Sequence, residues 1–148
     1  MMKTFYIILF AQILVLSCNA SFGQVHKPDS IKVEFEGFNT ETVFDVTCEA
    51  FASTFTETKK VKVLCNQRDL SRFELLKKDF KQAKARSFDV RGTITYIYGK
   101  ILNKYCFDLF GYFYKDGKLY SNKNLLIAIS DKIYTNHPKY LDTLSYHE

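Results

Sequence analysis

From residue 31 onward, apolar side chains alternate with charged ones: Ile31, Val33 and Phe35 are interleaved with Lys32, Glu34 and Glu36. That two-residue period is the mark of a strand with one buried and one wet face. Gly37 ends it, and residues 39–42 form a polar turn. Residues 42–51 alternate again, with Phe44, Val46 and Cys48 on one face. Their continuation, 50–55, is balanced between strand and helical turn, because alanines interrupt a β-branched run. A charged turn at 57–60 then leads into a short strand at 61–64.

The period changes after residue 70. Leu70, Phe73, Leu76, Phe80 and Ala83 recur at three- or four-residue steps, which predicts an amphipathic helix over 70–83. Ser71 and Glu74 have capping-box spacing, and Leu70 and Leu75 fit the accompanying hydrophobic staple. Arg72, Lys77, Lys78, Lys81 and Lys84 occupy the opposite face. Residues 88–98 return to strand alternation, with Gly92 placed for a bulge or close backbone approach. A turn over 99–104 and a second long strand over 105–114, with Phe107, Leu109 and Phe113 on one face, come next. Asp116-Gly117 is a tight-turn signal that folds 118–120 back as a short strand. Ser121 or Asn122 caps a last helix with an apolar stripe of Leu125, Leu126, Ile129 and Ile133, ended by Pro138.

These elements predict an α+β fold: an antiparallel sheet of about five strands covered on one face by two amphipathic helices. The 148 residues, 47% apolar and 25% charged, contain no linker or repeat, so a single domain over 31–135 is expected. Residues 24–30 read as a flexible lead-in and 136–148 as a loose tail.

The N-terminal stretch bears on the compartment. Lys3 precedes an apolar run over 5–16 that is too short to span a bilayer, and small or polar residues follow at 17–23. This is the layout of a cleaved secretory signal covering residues 1–23. A second scheme competes for the same residues. Leu14-Val15-Leu16-Ser17-Cys18 resembles the bacterial lipoprotein box, in which a signal over 1–17 is removed and Cys18 is lipidated and tethered. Loss of Lys3 with the leader lowers the formal charge from +5 to +4.

Beyond Cys18, the domain holds Cys48, Cys65 and Cys106, an odd number for an oxidising compartment. Cys48 and Cys65 each lie in phase with apolar neighbours. A bridge between them is one expectation, and three buried free thiols are the other. No pair has metal-knuckle or redox spacing, and His26, His137 and His147 fall in the terminal segments. Neither cofactor nor metal is expected.

No nucleophile elbow, phosphate loop or dinucleotide fingerprint occurs. Two functional readings remain. In one, the chain is a small exported envelope protein that binds an unidentified protein or envelope component, as an inhibitor, immunity-like protein or accessory subunit. It involves no nucleic acid, and membrane only through Cys18. Its binding surface is either an aromatic sheet face of Phe110, Tyr112 and Tyr114 or a basic patch of Lys77, Lys78, Lys81 and Lys84. In the other, a small envelope hydrolase uses Asp89 and Asp108, placed on adjacent expected strands, with neighbouring tyrosines.

Overall fold

The computed structural model describes residues 27–38 and 40–134. They form an α+β fold of three helices and a single antiparallel sheet of seven strands, where the sequence suggested two and five. In chain order the elements are β1 (Ser30–Phe35), α1 (Phe51–Thr54), β2 (Lys60–Leu64), α2 (Gln67–Lys77), β3 (Lys81–Gln82), β4 (Gly92–Tyr98), β5 (Ile101–Phe107), β6 (Tyr112–Lys115), β7 (Lys118–Ser121) and α3 (Lys123–Ile133). Across the sheet the order is β2-β1-β4-β5-β6-β7-β3.

The main core is built by parity. Ile31, Val33 and Phe35 of β1, Ile94 and Tyr96 of β4, Tyr105 and Phe107 of β5 and Phe113 of β6 share one sheet face. They join Leu70 and Phe73 of α2 and Leu125, Leu126, Ala128 and Ile129 of α3 in a single apolar cluster. A smaller cluster on the other face gathers Val46, Phe51, Phe55, Val90 and Cys106, with Cys48, Ala50 and Phe88 packed against it. Residues 42–51 therefore do not pair as a strand. Val46 is instead held to residues 89–90 by two hydrogen bonds, its carbonyl accepting the Val90 N–H and its own N–H donating to the Asp89 carboxylate. Val43 and Phe44 remain exposed.

The first long helix starts one turn before the expected cap. Asn66, not Ser71, accepts the Asp69 N–H at 2.9 Å, and Asp69 is itself tied to Lys132 of α3 at 2.6 Å. Glu74 is instead committed sideways: Lys77 Nζ reaches it at 2.8 Å and the Tyr98 hydroxyl donates to it at 2.6 Å. The helix also ends at Lys77, because Lys81–Gln82 leave it to pair with β7.

Residues 99–104 are not a long turn. Gly99 and Lys100 alone form the loop, since Tyr98 already pairs with Ile101. The expected 105–114 strand is two strands joined by a turn. Asp108 Oδ1 accepts the N–H groups of Phe110 and Tyr112 at 2.8 and 2.9 Å, and Gly111 takes φ +83°. An aspartate bonding to backbone two residues on is a turn-former, and glycine supplies the left-handed conformation that closes the turn. Gly92 begins β4 because a side chain has no room there: a Cβ would strike the Phe107 ring and lie 2.7 Å from the Glu34 carbonyl. Residues 88–91 thus precede the strand.

Candidate ligand-binding groove

The disulfide links Cys48 to Cys106, with Cα atoms 5.8 Å apart, and Cys65 is an exposed free thiol. This corrects the expected Cys48–Cys65 pairing. Both residues of that pair do follow apolar parity, but parity says which face a residue takes, not which strand it lies over. Cys65 follows β2, and β2 is three strands from β5 in the sheet, about 14 Å at the usual ~4.8 Å spacing. Cys48 sits over β5.

The bridge pins residues 47–49 above the sheet and makes one wall of a groove of about 440 Å³. The extended 82–88 segment forms the second wall through Ala83, Ala85, Arg86 and Phe88, and Tyr114, Gly117, Lys118 and Leu119 of the β6–β7 hairpin complete it. The 82–88 segment starts hydrogen-bonded to β7, where Ala83 N–H meets the Leu119 carbonyl at 2.9 Å. It then diverges, and the groove opens between the two. An adjoining hollow of about 410 Å³ shares Cys48, Glu49, Tyr114 and Gly117 and adds Lys104, Lys115 and Asp116. Aromatic and aliphatic groups with a few charged groups at the border are the usual chemistry of a binding cleft.

Of the expected aromatic face, Tyr114 alone lines this groove. Its ring lies 6.0 Å from that of Phe88. Tyr112 is roofed by the Arg86 guanidinium, 4.4 Å from its centroid, and Phe110 lies 5.6 Å from the same guanidinium. Phe110 belongs to the Asp108–Tyr112 turn and not to the strand. Arg86 is therefore the residue that connects the aromatic surface to the groove. Sequence reading missed it, because it falls in a stretch without periodicity.

Asp108 and Asp89 are close enough to repel, yet neither faces open solvent as strand alternation suggested. Burial pushes the Asp108 carboxyl up to about 6, against the opposing pull of the Tyr112 and Phe110 N–H groups and Arg86, with Asp89 adding to the rise. Both Asp89 oxygens are engaged: Oδ1 accepts the Val46 N–H at 2.8 Å, and Oδ2 pairs with Arg91 at 2.5 Å. Arg91 is 4% exposed and also donates to Thr42 Oγ1 at 3.0 Å. Its Nε and Nη1 have no hydrogen-bond partner among the described residues.

The expected basic patch is divided. Lys78, Lys81 and Lys84 are exposed, but Lys77 folds back over the rings of Tyr96 and Tyr98 at 4.8 and 5.1 Å and joins Glu74. Burial, followed by the hydrogen bond to Glu74, pushes the Tyr98 phenol well up. Among the described residues, no group of three or more potential metal ligands gathers, and no helix is long and apolar enough to cross a membrane. Cys18, the leader, the three histidines and the tail lie outside the described residues. Compared with protein-family models, characterised proteins and solved structures, the chain matches none.

Proposed function

We propose that the chain is an exported, non-enzymatic binding module of the bacterial cell envelope, of the inhibitor, immunity-like or accessory kind, whose ligand occupies the groove beside the Cys48–Cys106 bridge. The bridge carries this reading. It anchors the 47–49 wall to β5, and disulfides persist in oxidising compartments, in keeping with a leader at 1–23 that is cleaved, or removed at Cys18 with lipidation. In the same reading α2 and α3 cover the opposite sheet face, so a ligand meets the disulfide side. Arg86, Phe88, Tyr114 and Lys118 then offer an aromatic, cationic lining to a protein or envelope component.

Two measurements test the reading. Intact mass spectrometry of the protein from its native cells is expected to give a chain starting at Gln24, or at acylated Cys18, that is two hydrogens lighter than its fully reduced form. A product that retains Met1 and three free thiols in the domain overturns the export reading. Capture of the native partner is expected to be lost in Tyr114→Ala and Arg86→Ala, and retention by both variants would move the ligand elsewhere.

The raised Asp108 carboxyl favours a second reading, a small envelope hydrolase with Asp108 as general acid. The engagement of both Asp89 oxygens speaks against a paired mechanism. Asp108→Asn separates the two, since a hydrolase loses turnover and a binding module keeps its partner.

A further inference from the structure

β2 forms one end of the sheet. Its register with β1 runs without a bulge from Leu64 opposite Ile31 to Lys60 opposite Phe35, and among the described residues β1 is its only strand neighbour. Its outer row of backbone N–H and C=O groups therefore faces away from the sheet, a ready template for a further strand. The other end is blunted, because β3 has two residues and the chain then swings off toward the groove. The valines of β2 are also open. Val61 and Val63 lie on the disulfide side of the sheet and are each 53% exposed, although apolar β-branched residues ordinarily fill a covered face. Lys60 and Lys62 alternate with them on the other face.

This alternation selects the occupant. A second copy fits poorly, because antiparallel pairing of two β2 edges about Lys62 sets Lys62 directly against its counterpart and leaves Lys60 opposite Leu64, and like charges directly opposed across strands are destabilising. Among the described residues Lys62 has no ion pair, so its charge is uncommitted. An incoming strand with acids on one face and β-branched residues on the other satisfies both sides of the edge.

We propose that the β2 edge docks an extended segment of a partner protein in which Asp or Glu alternates with Val or Ile, the acids meeting Lys60 and Lys62 and the apolar residues continuing the Val61–Val63 row. The groove plays no part in this contact.

The test is an NMR titration of the ¹⁵N-labelled protein with two synthetic hexapeptides, alternating Val-Glu and alternating Val-Lys. The acidic peptide is expected to shift the amides of residues 60–64, to bind more weakly as salt is added, and to lose about tenfold in affinity on Lys62→Glu, the sum of an attraction removed and a repulsion gained. Lys62 is exposed, so the variant's spectrum should otherwise match the wild type. Equal binding of both peptides, shifts confined to the groove, no shift at millimolar peptide, or concentration-dependent dimerisation through β2 would each overturn the proposal. Arg86→Ala should leave this titration unchanged, so loss of the groove reading and loss of this one are separately visible.

Discussion

Cys48 and Cys106 are 58 residues apart along the chain and 5.8 Å apart at their Cα atoms, and the link crosses from an irregular segment to the sheet. The segment it holds has little else of its own: α1 is four residues long, and the small cluster around Phe51 and Phe55 is separate from the main core. A loop of this size gives a chain-entropy stabilisation of about 4 kcal/mol. Replacing both cysteines by serine is expected to cost about 2–4 kcal/mol in urea unfolding. Thiol labelling without reductant should modify Cys65 and spare Cys48 and Cys106.

Asp108 gives a pH signature. Its folded carboxyl sits at about 6 against an ordinary 3.8, so its contribution to stability is fully present below pH 3.8 and is lost as the pH rises through 6. Asp108→Asn keeps an acceptor for the Phe110 and Tyr112 N–H groups and removes the titration. Between pH 4 and pH 7 the variant should gain roughly 2 kcal/mol on the wild type, measured as the difference between paired urea melts. A difference that does not change with pH would show that the carboxylate is not the cause.

Gly92 tolerates no side chain. The added methyl of Gly92→Ala meets the Phe107 ring and lies 2.7 Å from the Glu34 carbonyl, and β4 is fixed between β1 and β5. A loss of about 2–3 kcal/mol is expected by thermal melting.

Asn122 serves two elements at once. Its Oδ1 accepts the Leu125 N–H at 2.9 Å and its Nδ2 donates to the Leu76 carbonyl at 2.7 Å, so one residue caps α3 and closes the end of α2. Asn122→Ala should cost about 1–2 kcal/mol. Asn122→Asp, which keeps the acceptor and loses the donor, should recover part of it.

Where a structural cause is local, the sequence displays it. The stripe and cap of α3, the Asp116-Gly117 turn with both residues at positive φ, and the alternation of β1 and β4 were all readable from neighbouring residues. Misreadings came where local signals competed. Ser71 and Glu74 imitate a capping box, but Glu74 is engaged by Lys77 and Tyr98, and Asn66 supplies the cap. Asp108 and Gly111 carried a turn signal that the aromatic run around them obscured. The groove was not legible at all. Its walls come from residues 47–49, 82–88 and 114–119, brought together by strand order and by a cross-link whose partner parity could not choose.

The sheet order has a consequence for how the chain comes into being. β1, the first of the described strands, takes its inner partner from β4, so any process that delivers the chain from its N-terminus leaves Ile31, Val33 and Phe35 without that partner until residues 92–98 have appeared. During that interval β2 is its one partner among the described strands, and a two-stranded ribbon is marginally stable at best in water. Shielding of the nascent chain matters most before Tyr98 emerges.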